Sequence, residues 1–242
     1  MKFVVINGSP RKKNTWAVAK QAMENLDGSF EEIHLAKERI PLCVGCHKCV
    51  MYGEDKCPHY DKVHPIIEKI RDADGIIITS PVYAMNVSGL LKNFIDHTAY
   101  LYHRAEFYTK KALVIVTTAG TGHKKVAKYM DETLRHWGVN KVYTLKFACG
   151  GKDTLDTKTI DKVSGEFGKD VESEKLHSPK FMDVLFFQVW KAMALSDVPI
   201  EADAKFWHEK GLVNHDFAPE VNLGIIKKIF AKIVFSVLKR VM

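Results

Sequence analysis

Short apolar segments alternate with helical segments over the first 150 residues. Five of these segments are predicted to be strands, and most of them are continuous apolar runs that end at turn-forming residues. They are Lys2–Asn7, Phe30–Leu35, Gly75–Thr79, Ala112–Thr117 and Val142–Phe147. Strands of this kind are buried on both faces, which is typical of a parallel sheet covered by helices. The pattern therefore predicts an α/β fold with a doubly wound, five-stranded parallel sheet.

The segments between the strands have the apolar spacing of helices. The predicted helices of this region are Thr15–Leu26, Asp61–Ala73, Ser88–Leu101, His123–Trp137 and a last one from Thr157 to about Lys175. After residue 150 the alternation stops: residues 151–176 are polar and charged. Three further helices are predicted at Ser178–Ala194, Ala202–Lys210 and Val221–Met242. We therefore divide the chain into an α/β domain, 1–176, and a C-terminal helical extension, 177–242.

The composition fits a globular chain that can form a core without disulfides or metal. Of its 242 residues, 46% are hydrophobic and 27% are charged. Neither a signal-peptide core nor an uncharged run of bilayer length is present, so we expect a cytoplasmic protein. The formal net charge of +7 is partly local, because residues 221–242 carry five cations and no acid. We predict no nucleic-acid partner.

The segment Gly8–Thr15 joins the first strand to the first helix. It fits neither a Walker loop nor a GxGxxG fingerprint. It does offer what a phosphate monoester needs, which is backbone N–H groups at a helix N-terminus with hydroxyls, an amide and a guanidinium nearby. Those side chains belong to Ser9, Thr15, Asn14 and Arg11. The alternative is an ordinary turn in which Ser9 or Thr15 caps the helix.

Four stretches, in this order, resemble the NAD(P)H-dependent FMN reductases of the flavodoxin-like oxidoreductase superfamily. They are Gly8–Thr15, Ser80–Tyr83, Gly89–Asp96 and Thr117–Gly120. The resemblance implies a flavodoxin-like fold, FMN as the cofactor, NAD(P)H as a donor and assembly into a homodimer or a higher homo-oligomer. It also implies that the protein is an enzyme, namely an NAD(P)H-dependent flavin oxidoreductase. In the family the third stretch usually ends in Asp-Arg, whereas here Asp96 is followed by His97.

The resemblance also implies three groups of flavin-binding residues. The phosphate would be held by Ser9, Arg11, Asn14 and Thr15. The ribityl chain and the isoalloxazine ring would be lined by Pro81, Val82, Tyr83, Ala84 and Asn86. The polar edge of the ring would be approached by Thr118, Ala119 and Gly120. Glycine suits the last role because a residue without Cβ allows close backbone approach. For Tyr83 the alternative is plain packing at the edge of the core.

Four of the five cysteines lie within fifteen residues, in a cysteine loop over residues 41–60. They are Cys43, Cys46, Cys49 and Cys57, and such compact thiolates suit an iron–sulfur cluster or zinc. The run resembles the cysteine motif of the iron–sulfur flavoproteins, a branch of the same superfamily, which implies a 4Fe–4S cluster near the flavin. Three interpretations stay open: the cluster, zinc with His47 or His59 as further ligands, and a loop of free thiols. The remaining cysteine, Cys149, is expected to be a small buried residue.

Three functions follow from these features. The first is an FMN-dependent oxidoreductase with an NAD(P)H or ferredoxin-type donor and a small-molecule or protein electron acceptor. The second is a flavodoxin-like electron carrier without a small-molecule substrate of its own. The third is a non-enzymatic module in which zinc or empty cysteines stabilise a partner surface.

The extension is rich in aromatic and basic residues. We predict that Phe181, Phe186, Phe187 and Trp190 pack over the flavin loops or in a dimer interface and so shape the substrate pocket. The last helix is basic and amphipathic. Ordinary packing on its own domain is the expectation, and contact of residues 223–242 with a neighbouring subunit or an anionic membrane surface is the alternative.

Overall fold

A parallel sheet of five strands forms the centre of the molecule. The computed structural model describes residues 1–150 and 156–241. The strands are β1 Lys2–Asn7, β2 Ser29–His34, β3 Gly75–Pro81, β4 Lys111–Thr118 and β5 Lys141–Ala148. They are ordered β2-β1-β3-β4-β5, and all neighbours pair in parallel. This is the strand order of the flavodoxin-like fold, so the predicted fold class is confirmed.

A helix follows each strand in the sequence, and further helices lie C-terminal to the sheet. They are α1 Asn14–Glu24, α2 Leu35–Glu38, α3 Lys48–Met51, α4 Tyr60–Asp72, α5 Gly89–His97, α6 His123–His136, α7 Thr157–Glu172, α8 Phe181–Ala194, α9 Glu201–Glu209 and α10 Ile225–Val241. Short 3-10 turns lie at Glu54–Lys56, Ala99–Tyr102 and Leu212–Asn214. The start of the polar stretch predicted over 151–176, and Met242 at the predicted end of the last helix, lie outside the described residues.

The alternating side chains of the strands are buried in two separate apolar layers. On one face, Ile76 and Val114 pack with α4, α5 and α6. On the other face, Ile77 and Leu113 pack with α1 and α7. β3 and β4 are buried along their whole length, which explains their unbroken apolar sequences. The sheet is therefore covered on both sides, and its ligand-accessible part is the edge where the strands end.

Three predicted helices have clearly different ends in the structure. The helix predicted from Val221 begins at Ile225, directly after Gly224, which has a φ of 67°. The helix predicted over 88–101 ends at His97, where the Thr98 hydroxyl donates to the Ile95 carbonyl (2.9 Å) and the chain tightens into a 3-10 turn. The helix predicted from Ser178 begins at Phe181, because the backbone N–H of Lys180 donates to the Asp183 carboxylate (2.8 Å) and forms the N-terminal cap.

The extension has a core of its own, built from Val184, Phe187, Trp207 and other apolar side chains. This core also includes Tyr108, which precedes β4, so the extension is attached to the α/β domain by apolar contact. The boundary at residue 176 stays a prediction. Among the residues that the structure describes, no helix has both the length and the hydropathy that crossing a bilayer requires.

Candidate functional site

Three loops meet at the carboxyl edge of the sheet. We call them the β1 loop (8–13), the β3 loop (82–88) and the β4 loop (119–122). Because β1, β3 and β4 are neighbours in the sheet, these loops are neighbours as well. All twelve predicted flavin residues lie in these loops or directly beside them. The structure thus brings together residues that are up to 111 positions apart in sequence, from Ser9 to Gly120.

The β1 loop is held by a buried asparagine that sequence reasoning did not single out. The Asn7 side-chain oxygen accepts hydrogen bonds from the Ser9 backbone N–H and the Thr79 hydroxyl, both at 3.0 Å. Its amide nitrogen lies 3.0 Å from Nδ1 of His34. The Gly8 N–H donates to the Thr79 carbonyl at 3.0 Å, and a Cβ on Gly8 would lie 2.7 Å from that oxygen. Glycine is therefore required for close packing, and the loop is fixed before any ligand binds.

The N-terminus of α1 is open to an anion. Lys13, the residue before this helix, makes no side-chain cap, and the first turn contains no acid. Arg11 and Lys12 are exposed beside it, and Ser9 is buried with its hydroxyl bonded to the Arg11 backbone. Uncapped N–H groups with cations nearby favour a phosphate. The alternative in which Ser9 or Thr15 caps the helix is wrong for this structure, because no side chain makes a cap hydrogen bond here.

The β3 loop contains a strained turn. Tyr83 and Asn86 exchange two backbone hydrogen bonds of 3.0 Å, and the residues between them, Ala84 and Met85, have φ values of 47° and 63°. Positive φ in a residue with Cβ costs about 1–2 kcal/mol, and such strain gathers at ligand-binding positions. Tyr83 is 38% exposed, and its hydroxyl lies 3.5 Å from the Arg11 guanidinium. The ring thus faces solvent, next to the β1 loop.

The β4 loop packs against the β3 loop through a glycine. Gly122 has φ +92°, and a Cβ there would lie 3.0 Å from side-chain atoms of both Met85 and Val82. The Thr118 hydroxyl donates to the Thr121 carbonyl (2.8 Å) and orders the turn. Nothing lies within 4 Å of a Cβ placed on Gly120, so the space beside it is open to a ligand.

Two side chains link the start of α1 to the ends of β4 and β5. Thr15 is buried, and its hydroxyl lies 2.6 Å from that of Thr117. Burial raises the pKa of the Cys149 thiol, and the neighbouring Asn14 side chain lowers it to a smaller extent. Cys149 is half-buried and not fully buried as predicted, because β5 is an edge strand whose end is partly open to solvent.

The cysteine loop presents four free thiols at different depths. Cys49 is buried, Cys43 and Cys57 are half-buried and Cys46 is exposed. Burial first, and then the charges of the neighbouring thiolates, raise the pKa of Cys49, whereas Arg104 lowers it. The four sulfurs are therefore close enough to interact electrostatically. Within residues 1–150 and 156–241, no three His, Cys, Asp or Glu side chains converge closely enough to hold a single metal ion.

Helix α5 holds both ends of the cysteine loop. Asn93 accepts from the Cys43 N–H (2.9 Å) and donates to the Pro41 carbonyl (3.0 Å). His97 is buried, and its Nε2 lies 2.8 Å from the same carbonyl. Because a carbonyl oxygen only accepts, Nε2 carries a proton, and Nδ1 then faces the Cys57 sulfur at 3.7 Å. The same helix is capped by Ser88, whose hydroxyl donates to the Gly8 carbonyl at 2.6 Å. α5 thus connects the cysteine loop to the β1 loop.

A buried arginine holds the middle of the cysteine loop. Arg104 is 3% exposed and donates to the carbonyls of Cys49 and Val50. Its charge is balanced by Asp203 of α9 at 2.5 Å, which is also buried. Asp203 in turn bonds to Nδ1 of His103 at 2.8 Å. The extension therefore contacts the cysteine loop through an ion pair.

Sequence reasoning missed Asn7 and Arg104 and the supporting role of His97; it predicted Ser88 as the cap of α5, which is confirmed, but not its bond to the β1 loop. His97 carried a signal, because it replaces the arginine usual in the family. No signal in the sequence indicated a role for Arg104, because its partner Asp203 lies 99 positions away.

The aromatic residues of the extension do not pack over the loops at the carboxyl edge, so that part of the prediction is wrong, while their place in a dimer interface stays a prediction. Phe186 packs on His136, and Trp190 stacks on His103 at 3.9 Å. With Tyr108 they line a cavity of about 580 Å³ that also touches Asn140. Tyr108 and Asn140 precede β4 and β5, so the cavity lies toward the amino edge of the sheet, away from the carboxyl-edge loops. Burial there lowers the pKa of His136. The physical reason is that α8 covers the end of α6, which leads away from the carboxyl edge.

Comparison with known proteins identifies the family. Residues 1–152 match the family model described as NADPH-dependent FMN reductase. An iron–sulfur flavoprotein of Archaeoglobus fulgidus is 31% identical over 222 residues, which cover 88% of this chain and all of that protein. An NADPH azoreductase of a Bacillus species is 32% identical over 136 residues, which cover 55% of this chain and 68% of that protein.

Comparison with solved structures supports the flavodoxin-like fold. An NAD(P)H:quinone oxidoreductase from Methanothermobacter marburgensis has a TM-score of 0.58 and 19% identity, and covers 74% of this chain and 99% of its own. At this identity the likeness shows the fold alone. The roles of individual flavin and metal residues stay predictions. The chain belongs to the NADPH-dependent FMN reductase family of flavin oxidoreductases, and a protein called an iron–sulfur flavoprotein is among its relatives of matching length.

Proposed function

We propose that this chain is an FMN-dependent oxidoreductase in which Cys43, Cys46, Cys49 and Cys57 hold a 4Fe–4S cluster. NAD(P)H or a ferredoxin-type protein is the electron donor, and a small molecule or a protein is the acceptor. The observation that carries the proposal is the double role of α5: its cap residue Ser88 holds the β1 loop, and Asn93 and His97 within the helix hold the cysteine loop. A flavin and a cluster bound to two loops that one helix holds would lie at a fixed distance and orientation from each other.

The residues at the carboxyl edge fit FMN. The uncapped start of α1 and the Arg11 guanidinium would bind the phosphate, because both favour negative charge. The exposed ring of Tyr83 and the open space beside Gly120 would border the flavin ring. When bound, FMN supplies the hydride and electron chemistry, and the protein binds and orients it.

The donor set of the cysteine loop fits an iron–sulfur cluster. All four thiols are free, and soft thiolates suit iron–sulfur clusters and zinc. In a cubane cluster each iron takes one thiolate, so the four thiols need not converge on a single metal ion, which no three of them do among the described residues. Hydrogen bonds between the side chains of Asn93 and Arg104 and the backbone of the loop hold the loop in place. Nδ1 of His97, which lies 3.7 Å from the Cys57 sulfur, would adjust the charge of that sulfur.

The test is anaerobic purification followed by absorption spectroscopy, FMN release, and iron, sulfide and zinc analysis. We expect flavin bands with a broad iron–sulfur shoulder, and bleaching of the flavin bands on addition of NADH or NADPH. Replacing Cys43, Cys46, Cys49 or Cys57 by Ser should remove the iron and keep the flavin, whereas the control Cys149→Ser should keep both. If the purified protein contains flavin but no iron, it is a flavin oxidoreductase without a cluster, and the cluster part of the proposal is refuted. A colourless, zinc-containing protein that does not bind added FMN would refute the proposal and support the interaction module.

A further inference from the structure

Helix α10 has an apolar surface that its own domain does not cover. Of its seventeen residues, Ala231 alone is fully buried. Six large apolar side chains are between 55% and 80% exposed: Ile225, Ile226, Ile229, Ile233, Val237 and Val241. On a 100° helical wheel, Ile226, Ile229, Ile233 and Val237 form one continuous strip, which we call the apolar ridge.

Much of the remaining apolar surface of α10 is already used for packing, from Phe230 beside the apolar ridge to Phe235 on the far side of the helix. Phe230 meets Phe181 of α8 edge to face at 5.2 Å, and the Lys191 ammonium lies 4.7 Å from the centre of the Phe235 ring. Lys227 is bonded to the Ser178 hydroxyl at 2.8 Å. The helix is therefore attached to the extension by one face, and the apolar ridge is turned away from it. Packing on its own domain, the expectation from sequence, explains only half of this helix.

A strip of cations lies beside the apolar ridge. Lys228, Lys232 and Lys239 are exposed and fall together on the wheel, and we call them the cationic ridge. With Lys227 and Arg240 the helix carries five cations, and it contains no acidic residue. Helix α7 is different: its exposed Lys158, Lys162 and Lys169 are interspersed with acids, and it exposes no large apolar side chain.

This combination indicates a lipid surface. We propose that α10 binds anionic membrane surfaces, with the apolar ridge in the headgroup–acyl boundary and the cationic ridge against the lipid phosphates. A second copy of the chain fits less well. Two α10 helices that met across a twofold axis would bring their cations together, and neither would supply an acid to pair with them. This inference is independent of the flavin and of the cysteine loop.

The test is cosedimentation of the full-length, FMN-loaded protein with vesicles at low salt. We expect binding to phosphatidylglycerol–phosphatidylcholine vesicles about tenfold stronger than to pure phosphatidylcholine vesicles, and weakening by added NaCl. The double variant Ile229→Gln/Ile233→Gln and the triple variant Lys228→Gln/Lys232→Gln/Lys239→Gln should each weaken binding by about tenfold. The matched control Lys158→Gln/Lys162→Gln/Lys169→Gln removes the same charge from α7 and should bind as the wild type does.

Three results would overturn the proposal. The first is no cosedimentation with anionic vesicles at low salt. The second is an equal loss of binding in the α7 control, which would show nonspecific attraction of a basic protein. The third is an oligomer, seen by light scattering, that dissociates in the Ile229→Gln/Ile233→Gln variant while vesicles are not bound, which would assign the ridge to a second copy. Thermal unfolding and FMN content of each variant establish that it is folded, since the replaced side chains are exposed.

Discussion

The carboxyl-edge loops and the cysteine loop are held in different ways. The β1 and β3 loops are fixed by buried polar side chains next to them, chiefly Asn7, Thr79 and Ser88. The cysteine loop is largely exposed, and its backbone is held by side chains from distant elements, namely Asn93, His97 and Arg104. The difference teaches that the proposed flavin site is built into the sheet, whereas the proposed cluster site depends on the helices around it and, through Arg104 and Asp203, on the extension.

The largest expected effect is at the ion pair that anchors the cysteine loop. Arg104→Ala removes the arginine that balances the charge of the buried Asp203 carboxylate, which then keeps only its bond to His103, and removes the donor to two loop carbonyls, so we expect a loss of about 3–5 kcal/mol in the free energy of unfolding. Urea denaturation measures it. Lys92→Ala breaks the exposed pair with Asp96 and should cost less than about 1 kcal/mol. Equal effects in the two variants would show that Arg104 is no anchor.

The next effect concerns the β1 loop. Asn7→Ala removes the acceptor for the Ser9 N–H and the Thr79 hydroxyl, and we expect a loss of about 1–3 kcal/mol together with weaker FMN binding. Asn14 is exposed, so Asn14→Ala should weaken FMN binding with little change in stability. Denaturation and fluorescence titration with FMN separate the two. An Asn7→Ala protein of wild-type stability would contradict the preformed loop.

A smaller effect is expected at His97. His97→Gln disturbs the bond to the Pro41 carbonyl and the contact with the Cys57 sulfur, so we expect a loss of about 1 kcal/mol. The Cys57 thiol should also react faster with a thiol reagent in protein treated with a chelator. His47 is exposed on the same loop, and His47→Gln should change neither quantity. The contact between His97 and Cys57 is disproved if the two variants label at the same rate.

The smallest effect tests the strained turn of the β3 loop. Ala84 has a positive φ, so Ala84→Gly should leave stability unchanged or raise it by up to about 1 kcal/mol, since relief of strain offsets the greater freedom of the unfolded chain. The same substitution at Ala17, which is exposed in α1, should cost about 1 kcal/mol. A loss at Ala84 as large as that at Ala17 would show that the turn is not strained.

Most of the fold could be predicted because its signals are local. Apolar runs such as those of β3 and β4 are long enough to identify buried strands, and the parallel order follows from the helices between them. Helix ends were less predictable. α5 ends at His97 because of a Thr98 side-chain bond that apolar spacing does not reveal.

The cysteines show where local signals end. Their spacing indicated a thiolate site, but the depth of each thiol and the residues that hold the loop depend on contacts across the fold. His97 and Arg104 reach this loop from 40 and 55 positions away, respectively. Residue spacing along the chain carries no information about such contacts.

The amino-acid sequence by itself determined the parallel sheet, the positions of the carboxyl-edge loops and the cluster of cysteines, because each depends on residues that are close along the chain. Only the tertiary structure decided that α8 lies toward the amino edge, that Arg104 and Asp203 join the extension to the cysteine loop, and that α10 presents an apolar ridge to solvent. Amphipathic periodicity shows that a helix has an apolar side, but which surface covers that side depends on how the other elements pack.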